Sequence, residues 1–399
     1  MVTMTDVNNL AAALRKSQWA DALQRIQQNE QLQKDLADHD KRYIYDQLAR
    51  AKQYEILLAL ADNGSIDTDV YEYESLDRSA LECVLRYTTH EPASLDFLTK
   101  FIAKFDNIND AVNNKTLLQL AFTLNVPVEA IAILVNAGCD PRFKNNYEEN
   151  YLFNITREFS IREDTGIKYL EYLMDQGIDP NDGNIVKETP LHIVIGNRKL
   201  KYMQLLLERG ADPNQPGKNE ESAYYAALVH QVCEAAMYEQ LTAYAPADFN
   251  QANKSGETLI CGALRMRSRA SAEEVALIKL LLRDGADIYQ TSPYYSKLKA
   301  ALDWVAEYPA EMLAGILESG VVDVDRRDDE GNTLLHKVCG YNVNYDQKAA
   351  QHLYKKVKLL LENGADASIT NDRDQSAMDL AGQDNLKAKA VELLLKQKA

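Results

Sequence analysis

Leu205-Leu-Leu-Glu-Arg-Gly-Ala-Asp212, Leu280-Leu-Leu-Arg-Asp-Gly-Ala-Asp287 and Leu359-Leu-Leu-Glu-Asn-Gly-Ala-Asp366 share one ending. A leucine run that stops at Gly reads as a buried helix closing on a left-handed residue, because Gly takes positive φ without a Cβ clash. Upstream stand Thr189-Pro-Leu-His192 and a near copy, Thr333-Leu-Leu-His336, in which Thr suits an N-cap and Pro the first helical turn. Outward in the same register lie weaker tetrads at Tyr43–Asp46, Ser79–Glu82, Thr116–Gln119, Asn150–Phe153, Ser222–Tyr225, Thr258–Cys261, Ala300–Asp303 and Ser376–Asp379. Ten units result, with starts 33 to 43 residues apart, so the surplus over the shortest period is expected as inserted loops.

This unit resembles the ankyrin repeat, a β-turn finger followed by two antiparallel helices over about 33 residues. The resemblance implies an all-α ankyrin-repeat solenoid apart from short β-hairpin fingers, with the tetrad His bonding back to loop backbone. Asn253-Lys-Ser-Gly-Glu257 and Asp328-Asp-Glu-Gly-Asn332 read as finger turns. Within residues 5–36, Leu10, Leu14, Ala22, Leu23 and Ile26 fall on roughly helical spacing and suit a helical pair covering the first repeat. The expected organisation is a helical cap over 1–42, a repeat array over 43–375 and a capping repeat over 376–399, leaving no room for a second domain. Insertions lie between the two helices of a repeat, through Arg267-Ser-Arg-Ala-Ser271 and Asn342-Val-Asn-Tyr-Asp-Gln-Lys-Ala-Ala-Gln351. The units starting at Ser222 and Ala300 fit the pattern worst and are where local opening is expected.

With 44 Lys+Arg against 60 Asp+Glu, the net charge of −16 argues against nucleic acid and anionic membranes and favours a basic protein partner. Arg265-Met-Arg-Ser-Arg269 is the one compact basic run, too small for a nucleic-acid binder. No apolar stretch is long enough to span a membrane, and the start lacks a secretory signal, which points to a cytoplasmic protein or one delivered into a host cytosol by a specialised secretion system. Cys83, Cys139, Cys233, Cys261 and Cys339 are odd in number and scattered, as reduced thiols would be. His230-Gln-Val-Cys233 and His336-Lys-Val-Cys339 put His and Cys on one helical face, yet no second pair completes a metal site. Without a phosphate loop or a catalytic motif, the expectation is no cofactor, no metal and no enzymatic activity.

In the ankyrin register the residues fourth and fifth after each tetrad face a concave groove. They include Arg50, Arg86 with Tyr87, Arg157 with Glu158, His230, Arg265, Tyr308 and Tyr341. Arg and Tyr dominate interface hot spots, and recurrent Arg on an acidic chain suits a carboxylate-bearing segment. Set against these is the alternative that exposed first-helix positions accept any residue; finger aromatics Tyr147, Tyr294 and Tyr295 are further candidate anchors, the alternative there being packing against neighbouring fingers. The expected function is non-catalytic binding of a protein, as an adaptor or as a stoichiometric inhibitor such as a toxin-neutralising immunity protein. Chains of this kind resemble bacterial ankyrin-repeat effector and immunity proteins, so the alternatives are an effector acting on a host protein and an enzyme whose chemistry hides in a divergent repeat.

Overall fold

The computed structural model describes residues 9–397. Ten helix pairs follow the period read from the sequence, from Asp38–Arg50 with Tyr54–Asp62 to Ala377–Ala381 with Ala388–Gln397. The fold is all-α; among the described residues the only strands are Thr291–Tyr294 and Lys297–Ala300, one antiparallel hairpin. Two compact units share the chain: Met1–Ile185 with Lys199–Arg209, and Val186–Arg198 with Gly210–Ala399. The division falls inside the repeat that begins at Thr189.

Nine of the ten tetrads begin on a helix N-cap, at Ser79, Thr116, Asn150, Thr189, Ser222, Thr258, Ala300, Thr333 and Ser376. The Ser79 hydroxyl accepts the Glu82 N–H at 3.1 Å and the Thr116 hydroxyl accepts that of Gln119 at 3.2 Å. Such a cap contributes about 1 kcal/mol by satisfying an orphan donor. Tyr43 is the exception and sits inside helix Asp38–Arg50, where Asp38 and Asp40 supply the acidic first turn that favours an earlier start. At the other end, Gly285 and Gly364 hold φ of 105° and 88° where the helices of the leucine runs close.

In the first unit, second helices stack in series through fully buried Leu57, Leu60, Leu98, Phe101, Ile131, Leu134, Leu170 and Leu173. The pair Leu10–Arg15 and Trp19–Gln27 packs on Asp38–Arg50 and Tyr54–Asp62, with Leu10, Leu14, Ala22 and Ile26 buried and Leu23 half-buried. Cross-repeat hydrogen bonds add register: the Tyr87 hydroxyl donates to Asp46 at 3.0 Å, and the Tyr151 and Thr116 hydroxyls lie 2.7 Å apart.

In the second unit the tetrad histidines are the cross-repeat ties. His192 Nδ1 accepts the Thr189 N–H at 3.2 Å, and its Nε2 meets the Glu221 carbonyl at 3.1 Å. His336 repeats this with Thr333 and the Gln375 carbonyl, at the same two distances. Each imidazole thus joins its own helix start to the finger of the next repeat, and burial holds its pKa below the usual value, keeping it neutral.

Both poorly matching repeats depart from the pattern. The first helix of one begins as Ala223–Tyr225 and continues as a π-turn over Ala226–His230. The finger of the other is the strand hairpin itself. The inserted segments are also partly structural. Arg267 is fully buried, donating from Nη1 to the Leu228 and Ala263 carbonyls at 2.8 and 2.9 Å and from Nη2 to that of Cys233 at 3.1 Å. Helix Gln347–Glu362 absorbs the end of the other insertion.

Arg267 has two counterparts. The buried Lys356 ammonium donates to the Ala306 carbonyl and, at 2.9 Å, to that of Tyr308. The buried Lys387 ammonium donates to the Cys339 carbonyl at 2.9 Å. All three cations satisfy carbonyls at the end of the preceding repeat's first helix, where the macrodipole is negative.

Candidate protein-interaction site

The arginines chosen from the register are mostly engaged within the chain. Arg157 forks onto Glu149, Nη1 to Oε2 at 3.0 Å and Nη2 to Oε1 at 2.8 Å. Arg265 forks onto Glu257 in the same way, Nε to Oε1 at 2.7 Å and Nη2 to Oε2 at 2.9 Å. In both repeats the Glu directly precedes the N-cap and the Arg lies eight residues later, so the pair ties finger to helix end. Lys299 and Glu307 form the same tie with the signs exchanged, at 2.7 Å. His230 takes this place in the π-turned repeat, meeting Glu221 at 2.7 Å one residue later than the register requires. Arg86 pairs instead with buried Glu82, four residues before it on the same helix.

Burial would raise the carboxyls of Glu149 and Glu257, but the arginine hydrogen bonds and charge, with help from Asn145 and Tyr225 respectively, outweigh it and hold both below the usual range. These arginines are therefore half-exposed structural partners. Arg50 differs: it is exposed and has no ion pair among the described residues. Glu158 is exposed too, its side chain accepting from Ser160 at 3.1 Å and its carbonyl from Lys199 at 2.9 Å.

Exposure corrects two other expectations. Tyr308 does not face solvent: it is 8% exposed, and its hydroxyl donates to the Arg265 carbonyl at 3.1 Å. The helix Ala301–Glu307 ends one residue before it, and the chain turns Tyr308 under the repeat. The Arg265–Arg269 run is no basic patch either, since Arg267 is buried and Arg265 neutralised.

In the first unit, Tyr147 is exposed on its finger and Tyr87 is half-buried against Asp46. In the second unit, Tyr294, Tyr295 and Tyr341 come together around an open groove of about 650 Å³. The hairpin forms one wall, and helix-end residues Ala306, Glu307, Gly340 and Tyr341 line the groove together with finger residues Asn332, Asn371 and Arg373. Tyr295 is 92% exposed at the hairpin tip with a φ of 53°, a left-handed conformation uncommon for a bulky side chain. Its support is rigid: Tyr294 packs edge-on against Trp304 at 4.7 Å, and the Lys299 ammonium sits 3.3 Å from the Trp304 ring centre. Leu298, 67% exposed beside the tip, and Lys297 complete the wall. Their signal in the sequence was the strand-like run Thr291–Ala300. His230 lies apart, in a 360 Å³ hollow with Glu188, His192 and Glu221.

A family model described as the ankyrin repeat matches residues 186–215. That match falls on one of the ten helix pairs, and the others repeat its plan. Residues 186–215 are an ankyrin repeat. Ankyrin repeats are protein-interaction modules. Among solved structures, this ankyrin-repeat chain is similar to the ankyrin repeat domain of Bcl-3, described as a member of the IkappaB protein family. Identity is 19% over 62% of this chain and 98% of that one, with a TM-score of 0.49. It is also similar to a chain in the complex of the Bd0816 predatory endopeptidase from Bdellovibrio bacteriovorus with immunity protein Bd3460. Here identity is 16% over 52% of this chain and 97% of that one, with a TM-score of 0.39. No curated protein matches.

No described helix of this ankyrin-repeat protein is long and apolar enough to cross a membrane. Its five thiols are free and buried, and burial pushes those of Cys83, Cys139 and Cys339 up to about 12 and that of Cys233 to about 11. Such thiols are protonated and poorly nucleophilic at neutral pH.

Proposed function

We propose that this ankyrin-repeat protein is a non-catalytic module that binds one protein partner stoichiometrically, as an adaptor or as an inhibitor of the kind an immunity protein is to a toxin. The observation that carries the reading is the tyrosine hairpin over the open groove. A rigid finger that presents Tyr295 and Leu298 to water is the form of an interface anchor before its partner arrives. The non-catalytic part draws support from residues already engaged, with His192 and His336 as cross-repeat ties and the thiols buried. In this reading residues 1–42 cap the array, 43–375 supply the binding repeats and 376–399 close it, in a reducing cytoplasmic setting.

The test is affinity capture with mass spectrometry, using the full chain against extracts of the source cell and of cells it contacts, beside Tyr295→Ala and the outer-helix controls Lys201→Ala and Lys358→Ala. The reading requires one protein retained by wild type and both controls and lost with Tyr295→Ala. Retention that ignores Tyr295 but fails with the outer-helix changes would reject it. Titrating the captured protein's own activity separates inhibitor from adaptor, and a partner from a contacted host cell marks the effector alternative.

A further inference from the structure

The hairpin has an open edge. The Ala301 N–H donates to the Gln290 carbonyl at 3.0 Å, and the register pairs Ser292 with Lys299, Pro293 with Leu298 and Tyr294 with Lys297. Alternation along an antiparallel pair makes Ser292/Lys299 and Tyr294/Lys297 the bonded pairs and Pro293/Leu298 the non-bonded one. Pro293, which has no N–H, fits that place. The main-chain N–H and C=O of Leu298 therefore point outward, away from the first strand. The first strand faces the preceding repeat, where Ser292 accepts the Thr258 N–H at 2.9 Å. The outer edge of Lys297–Ala300 borders the groove, and no third strand joins it among the described residues.

Charge narrows what that edge accepts. Lys299 is held by Glu307, Lys337 by Asp303 and Asp328, and Arg373 by Glu330. Lys297 has no ion pair among the described residues. Lys297, beside Leu298, repels a second copy of the same edge, as edge lysines do in natural sheets, while leaving it open to a strand that carries a carboxylate. We propose that an extended segment of a partner protein adds to Lys297–Ala300 as a third strand. It is anchored on the Leu298 N–H and C=O, with an acidic side chain against Lys297 and an apolar one against Tyr295. This rests on the reading that the groove binds a protein, and it names the segment by its chemistry.

The experiment pans a display library of random linear peptides on the full chain and measures the enriched peptides, made synthetically, against variants. Peptides with Asp or Glu beside an apolar residue are expected. Leu298→Pro, which deletes an N–H that the hairpin does not use, should weaken them about tenfold or more beyond Leu298→Ala, which keeps that N–H and loses only the side chain. Lys297→Glu should weaken them about tenfold. Should Leu298→Pro lower the melting temperature, amide exchange of wild type decides: bound peptide must slow exchange at Leu298. Failure to enrich any peptide, enrichment without acidic residues, wild-type affinity in Leu298→Pro, or an unprotected Leu298 amide would each overturn strand addition. Capture of a partner that still depends on Tyr295 would then leave the broader reading standing; loss of that dependence as well removes both.

Discussion

Replacing Arg265 by Ala takes two charge-assisted hydrogen bonds from Glu257, whose side chain is 14% exposed. Hydrogen bonds to charged groups contribute roughly 1.5–3 kcal/mol each, and breaking a fully buried pair costs about 3–5 kcal/mol. Two features reduce the loss here. Arg265 is itself 30% exposed, so water reaches part of the gap, and the Tyr225 hydroxyl still donates to Glu257. The expected loss is about 2–3 kcal/mol, roughly 30- to 150-fold in local opening. Because repeats touch only their neighbours, the effect should concentrate in finger Asn253–Glu257 and helix Leu259–Arg265. Amide exchange followed by mass spectrometry reads it directly. Glu257 titrates below its usual value in the folded chain, so the pair's contribution is whole above about pH 4.3 and disappears as pH falls through the lower folded value. The gap between wild type and variant must therefore close in acid. Arg50→Ala, at an exposed residue without an ion pair among those described, is the control and should shift stability by no more than about 0.5 kcal/mol. Unchanged exchange in Arg265→Ala would refute the structural role and return this arginine to the partner.

Other outcomes follow from the same geometry. Tyr308→Phe should cost about 1 kcal/mol of stability and leave partner binding intact, whereas Tyr295→Ala should leave stability within about 0.5 kcal/mol and weaken binding about tenfold or more; paired melting and titration curves check both. Burial lowers the pKa values of His192 and His336, so stability is full above about pH 6.5 and is lost as pH falls through the folded values. Denaturant titrations between pH 7 and 5 should show that slope in wild type and a flatter one in a His192→Gln, His336→Gln double variant. Burial brings Lys356 from 10.5 down to about 8, so its unfavourable charge disappears first in the folded state. Wild type should gain stability over Lys356→Met as pH rises between those values, by at most about 1.4 kcal/mol per pH unit; a constant difference would show that the folded lysine stays charged throughout.

The helix starts were legible because a Thr, Ser or Asn cap acts on its own next turn, a local property that sequence carries. Tyr43 misled for a related reason, since nothing in its tetrad shows that Asp38 and Asp40 start the helix earlier. The exposed positions were legible only where the first helix stays α-helical. The π-turn buries Val229 and moves His230 one residue along, and the early end of Ala301–Glu307 turns Tyr308 inward. Arg157 and Arg265, read as groove residues, stand at helix ends, but their partners stand in the finger, which only the turn brings close. The signal was present as a charge before the cap and its opposite eight residues on, in Glu149/Arg157, Glu257/Arg265 and, reversed, Lys299/Glu307. Leu298 needed strand register to be seen at all.

Arg267, Lys356 and Lys387 give the second unit a direction. Each reaches back to the repeat before it, so every such repeat draws the acceptors of a buried cation from its predecessor. Stripping repeats from the C-terminal side returns a few helix-end carbonyls to water, which hydrates them at little cost, and takes from a neutral tetrad imidazole its forward carbonyl. Stripping from the other side leaves the Lys356 or Lys387 ammonium without the carbonyls it donates to, and the Arg267 guanidinium with only that of Ala263, in an apolar setting. Shortening should therefore be tolerated from one end and not from the other, and fraying should run backwards along the chain, as a zip opens from its free end.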